Sequence, residues 1–83
     1  MADVVVYGAD WCEDTQHARE YLNRLDVAHD YVNIERDEQA REWVKRENAG
    51  KERKPLITVK GELLKVPEEH ELKTALEKHR LIQ

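Results

Sequence analysis

The chain has 83 residues, 39% of them charged and 40% hydrophobic. Its 14 Lys and Arg against 18 Asp and Glu leave a formal charge of −4, which excludes a global attraction to nucleic acid or to an anionic membrane. This length fits one domain, residues 1–83, with a thin single core, because so short a chain buries only about 60% of its unfolded surface.

The longest unbroken apolar run, Val4–Tyr7, falls far short of the roughly 20 residues that cross a bilayer, so no transmembrane helix is expected. Met1-Ala2-Asp3 lacks the basic start and apolar stretch of a secretory signal. Cys12 is the only cysteine, which excludes an internal disulfide framework and a Cys-rich zinc site. The expected location is a reducing cytoplasm.

Val4-Val5-Val6-Tyr7 is short and β-branched and predicts a buried strand, punctuated by Gly8. Ala18, Tyr21, Leu22 and Leu25 fall at i, i+3, i+4 and i+7, one stripe of a helix that opens after Cys12 and ends at Asp26-Val27. Tyr31–Ile34 predicts a second strand with Val32 and Ile34 on one face. Asp37 is the expected N-cap of a second helix, Ala40, Trp43 and Val44 its inward stripe, and Asn48-Ala49-Gly50 its stop. The polar loop Lys51–Lys54 closes at Pro55. Leu56–Val59 predicts a strand, Lys60-Gly61-Glu62 a turn, and Leu63–Val66 its antiparallel partner. Pro67 suits the first turn of a last helix, with Leu72, Ala75, Leu76 and His79 on one stripe. The order is β-α-β-α-β-β-α. A helical crossover makes the first two strands parallel, and a turn makes the last two antiparallel. The expected fold class is therefore α/β, a mixed four-stranded sheet flanked by helices.

Cys12 follows a strand and a short loop and precedes a helix. Its sulfur would lie near the first N–H groups of that helix, where the dipoles favour an anion and hence the nucleophilic thiolate. The alternative is a buried cysteine acting as a small hydrophobe. Asp10, Glu13 and Asp14 argue against deep burial, and they also repel a thiolate, in opposition to the helix terminus. Glu13 and Asp14 equally serve as ordinary first-turn acids. Thr15, one turn on, has a hydroxyl able to donate to the sulfur, or it simply caps the helix or faces solvent. His17 faces mostly away from Cys12 and makes a poor catalytic pair. The acidic residues show no metal-loop spacing, so no metal is expected. The basic stretch Lys45–Lys54 reads as a solvated face rather than a phosphate contact. Trp43, on a helical stripe, is expected in the core, and Trp11 at the rim of the Cys12 site.

A strand followed by Tyr7-Gly8-Ala9-Asp10-Trp11-Cys12-Glu13-Asp14-Thr15 opening a helix resembles the active-site segment of the glutaredoxin and thioredoxin family, which carries Cys-x-x-Cys or, in monothiol members, Cys-x-x-Ser. Tyr31–Asp37 resembles the second strand and turn of short bacterial glutaredoxins and mycoredoxins. Asn48-Ala49-Gly50 lies where these carry Asn-Gly-Gly, and Pro55 where they carry a cis-proline after Thr-Val. Gly61 and Leu63–Pro67 match the last strand and the turn into the final helix. The resemblance implies a thioredoxin fold, Cys12 as nucleophile, and Pro55 as a cis-proline shaping the substrate groove. It also implies glutathione or protein thiols and disulfides as partners, with glutathione as a co-substrate and no tightly bound cofactor.

The departures from that pattern bear on function. Thr15 stands in place of the second cysteine, which leaves only the monothiol route. Glu13-Asp14 replace the Gly-Phe of members that share an iron–sulfur cluster, so no cluster is expected. Arg53-Lys54 replace Thr-Val before the proline. Lys54 then either sets a cation near Cys12 or points to water, and Arg53 either reaches a peptide carboxylate or stays solvated. Val66-Pro67-Glu68-Glu69 replaces the segment that holds the γ-glutamyl end of glutathione. There Glu68 would repel a carboxylate, whereas Glu69 could pair with an ammonium. The catalytic candidates are thus Cys12 and Thr15, and the substrate-binding candidates Trp11, Arg53, Lys54, Pro55, Glu68 and Glu69. A monomer is expected, with an intermolecular disulfide through Cys12 as an option. The rival reading is a non-enzymatic binding module that holds a protein partner in the groove around Cys12 and Pro55.

Overall fold

The β-branched start of the chain becomes the centre of the sheet. Residues 2–83 are described in a computed structural model, with the order β1 (Val4–Gly8), α1 (Glu13–Arg24), β2 (Asp30–Asn33), α2 (Glu38–Glu47), β3 (Leu56–Val59), β4 (Glu62–Lys65) and α3 (Glu69–Lys78). The strands lie in the order β2-β1-β3-β4. β1 and β2 are parallel, while β1–β3 and β3–β4 are antiparallel.

Alternation along the strands sorts the core into two layers. Val4, Val6, Ile57 and Val59 meet Tyr21 and Leu22 of α1 and Leu72, Ala75 and Leu76 of α3. On the other face Leu56, Ile34 and Val44 pack with Tyr7, Ala40 and Trp43 beneath α2. Trp43 is half-buried there, its ring centroid 4.7 Å from that of Tyr7. Each fully buried leucine contributes about 1.5–3 kcal/mol through the water it sheds, and Leu22 and Leu76 are fully buried.

The helix ends follow local chemistry. The Asp37 carboxylate accepts the Ala40 N–H at 3.0 Å and caps α2. All three helices close with a left-handed residue that is not glycine: Asp26 (φ 60°), Ala49 (φ 55°) and Arg80 (φ 58°). In each case the next N–H returns to a carbonyl five residues back: Val27 to Leu22, Gly50 to Lys45, and Leu81 to Leu76.

Three elements have ends that differ from expectation. β2 starts and ends one residue early, at Asp30 and Asn33. Ile34 still donates its N–H to the Gly8 carbonyl at 2.9 Å and buries its side chain. β4 ends at Lys65 because Val66 turns to φ 46°, and it starts at Glu62 because Lys60 and Gly61 (φ 47° and 87°) form the whole turn. Pro67 lies outside α3 rather than in its first turn. Glu68 is the extended N-cap, and its N–H is taken by the Glu71 carboxylate at 2.9 Å, so the helix begins at Glu69. Among the described residues no helix is long and apolar enough to cross a membrane.

Candidate active site

Cys12 is the N-cap of α1, in an extended conformation (φ −78°, ψ 119°). Its N–H donates to the Ala9 carbonyl at 3.1 Å, and its carbonyl accepts the Gln16 N–H at 3.0 Å. These two bonds hold the sulfur at the mouth of the helix, half-buried and free of any disulfide. The thiol points at the Lys54 carbonyl, 4.0 Å away, and the Lys54–Pro55 peptide is cis. Pro55 is buried, and its own carbonyl accepts the Val66 N–H at 2.9 Å. Positions 12, 54–55 and 66, far apart in the chain, therefore meet in one place.

The position of Thr15 corrects its expected role. It is fully buried, and its hydroxyl accepts the Ala9 N–H at 3.4 Å. No Thr15–Cys12 hydrogen bond occurs among the described residues. Gly8 explains the difference: a Cβ there would lie 2.6 Å from the Thr15 Cγ2, so the threonine occupies the space that a side chain at position 8 would need. Thr15 packs the loop against the sheet instead of addressing the sulfur.

Of the two positions expected for Lys54, the one pointing to water is not taken. Its side chain is only 12% exposed and its ammonium is 3.7 Å from the Glu52 carboxylate. The same ammonium lies 5.0 Å from the centroid of the Trp11 ring. Glu52 is held in turn by Arg41 at 3.2 Å. Trp11 stands 64% exposed at the rim, with its indole N–H donating to Glu35 at 2.8 Å. Arg53 is exposed and forms no ion pair among the described residues.

A groove of about 440 Å³ opens between α1 and the turn from β4 into α3, lined by Asp14, His17, Tyr21, Val66, Glu68 and Glu69 among others. Glu68 faces His70 at 3.5 Å and Glu69 faces Arg24 at 3.2 Å, both at the surface. Val66 is 36% exposed, and its left-handed backbone is strained for a β-branched residue. Among the described residues no group of three or more His, Cys, Asp and Glu could hold a metal ion.

The glutaredoxin family profile matches residues 4–64, from the first strand through the hairpin. The chain belongs to the glutaredoxin family. Mycoredoxin 1 of Corynebacterium glutamicum is 36% identical over 58 residues, which cover 69% of this chain and 70% of that protein. Among solved structures, a point mutant of the thioredoxin-like protein BC3987 superposes with a TM-score of 0.81 at 21% identity, covering 93% of this chain and 97% of that one. The glutaredoxin grx-1 from Archaeoglobus fulgidus gives 0.74 at 21% identity, covering 92% and 87%. Wheat glutaredoxin gives 0.73 at 14% identity, covering 98% and 78%. These structural likenesses establish the thioredoxin-like fold. Membership of the family supports thiol–disulfide oxidoreductase activity in general.

Within this glutaredoxin the sequence gives no local sign of several supporting residues. Glu35 and Glu52 sit in charged loops that look merely solvated, yet they hold Trp11 and Lys54. Tyr31 donates to Asp10 at 2.7 Å beside the active loop, and the Arg19 guanidinium lies 3.9 Å from its ring centroid. Burial first, and then the bond to Asp10, pushes the Tyr31 hydroxyl up to about 12, so it stays a donor at physiological pH. The pairing spans 21 positions, which no periodicity reveals.

Proposed function

We propose that this glutaredoxin is a monothiol exchange protein with Cys12 as its nucleophile. The observation that carries the reading is a single cysteine at the N-cap of α1, facing the carbonyl that precedes the cis-proline. The Cys12 thiolate attacks one sulfur of a disulfide, forms a mixed disulfide with it and releases the other sulfur as a thiolate. A second thiol then attacks the mixed disulfide, takes the substrate half and restores Cys12. Two thiols outside this chain therefore replace the absent resolving cysteine. Glutathione and protein thiols are the proposed partners, and no metal or tightly bound cofactor enters the cycle. A monomer in a reducing cytoplasm fits this chemistry, because a lone thiol stays free there.

Mass spectrometry after exposure to oxidised glutathione, and separately to bis(2-hydroxyethyl) disulfide, tests the proposal. The wild-type chain should gain one adduct that added thiol removes, and Cys12→Ser should gain none. A hydroxyethyl adduct without a glutathionyl adduct would retain the monothiol mechanism and remove glutathione from it. Residual turnover of a mixed disulfide by Cys12→Ser would reject the mechanism. A thiol inert to both reagents would leave the binding module on the same fold.

A further inference from the structure

We infer that Lys54 is a positioning residue, whose ammonium seats Trp11 as a preformed platform for the disulfide substrate beside Cys12. The inference rests on the exchange chemistry proposed for Cys12. An exposed tryptophan ordinarily samples several orientations, and ordering it on binding would oppose affinity. Here the indole is held at two points. Its N–H is bound to Glu35 at 2.8 Å, and its face lies 5.0 Å from the Lys54 ammonium, within cation–π range. Lys54 is itself fixed, only 12% exposed and paired to Glu52 at 3.7 Å, with Arg41 holding Glu52 from behind at 3.2 Å. One acid and one base thus hold the ring directly, a second acid and base brace the lysine, and the ring remains 64% exposed and available to a ligand.

Lys54 also touches the nucleophile itself. Its backbone carbonyl is the group the Cys12 thiol faces at 4.0 Å, so one residue contacts both members of the Trp11-Cys12 pair. The two contacts use different parts of the residue. Replacing the side chain removes the hold on Trp11 and leaves the carbonyl beside the sulfur. An ammonium already shared between a carboxylate and an indole is a weak counter-ion for a thiolate. Its effect is therefore on docking geometry, where a rigid aromatic face keeps the attacked sulfur within reach.

The test compares a reagent that must dock with one that need not. Lys54→Met should slow glutathionylation of Cys12 by oxidised glutathione about fivefold, the loss expected for one cation–π contact. Alkylation by iodoacetamide, too small to use the platform, should stay within about twofold. Lys54→Arg should restore the exchange rate. Trp11→Ala should reproduce the loss, and the double variant should add nothing to it. In a Trp43→Phe background, acrylamide should quench Trp11 more strongly once Lys54→Met is present, and circular dichroism should show the fold intact. Alkylation falling in parallel with exchange would assign Lys54 to the thiolate and overturn the inference. Unchanged exchange, or additive losses in the double variant, would also overturn it. A wild-type chain that alkylates but forms no glutathione adduct would remove the glutathione reading and this inference together, an outcome distinct from normal exchange that Lys54→Met leaves unmoved.

Discussion

The loop that carries Cys12 is held in opposite ways on its two sides. Toward the sheet, Thr15 is fully buried against Gly8, and the contact is van der Waals packing with no room to spare. Toward solvent, Trp11 is held by Glu35 and by Lys54, which Glu52 fixes in turn, in polar contacts of modest individual strength. The packed side sets where the Cys12 thiol stands. The polar side sets what it meets, and surface substitutions can change it without disturbing the fold. A site built this way can keep its chemistry while its substrate preference changes.

The sharpest way to break the packed side is Gly8→Ala. The new methyl would overlap Thr15, and the backbone of β1 cannot give way, so stability should fall by about 3 kcal/mol. Thr15→Ala in the same chain should recover part of that loss by vacating the space, which a double-mutant cycle in urea would measure. Additive losses would mean that the two residues are not in contact. Next in size is the Lys54→Met effect on exchange, which should leave the urea midpoint almost unchanged.

A smaller effect is expected at Ala49, which ends α2 at φ 55° with its side chain exposed. Ala49→Gly relieves the left-handed strain and loses no packing, so it should stabilise the fold by about 0.5 kcal/mol. A lower urea midpoint would contradict the strain argument.

The smallest effect is a surface tie that, unlike the Gly8 contact, depends on pH. Glu62 on β4 accepts from His79 at 2.8 Å and lies 3.3 Å from the Lys78 ammonium. The His79 bond first, and then Lys78, hold its carboxyl below the ordinary 4.5. A lowered folded value means that the contribution is complete above 4.5 and is lost as the pH falls through the folded value. Glu62→Gln should therefore be less stable than the wild type near neutrality, and the gap should close in acid below 4.5. A gap independent of pH would show that the carboxylate charge is not what matters. The Gly8→Ala deficit should not vary over this range.

Much of the fold was legible because its signals are local. β-branched runs, helical stripes and cap residues mark seven elements, and the errors at β2, β4 and α3 are shifts of one or two residues where a turn or cap decides the end. The placement of Cys12 at the mouth of α1 was legible too, since a lone cysteine between a strand and a helix needs only its neighbours to be located. Thr15 was misread because its spacing from Cys12 suggests a shared face, and only the missing side chain at Gly8 explains why it turns inward. Nothing along the chain tells Lys54 to lie on Trp11 or assigns Glu35 and Glu52 as its supports.

The sequence alone determined the elements, the direction of the first strand pair and of the hairpin, the single thiol and the family resemblance, because each depends on spacing within a few residues or on matched motifs. Only the tertiary structure decided the strand order, the convergence of Cys12, Pro55 and Val66, and the polar hold on Trp11. Those depend on side chains dozens of positions apart becoming neighbours, and their partners are selected by the packing of the sheet and helices rather than by any pattern along the chain.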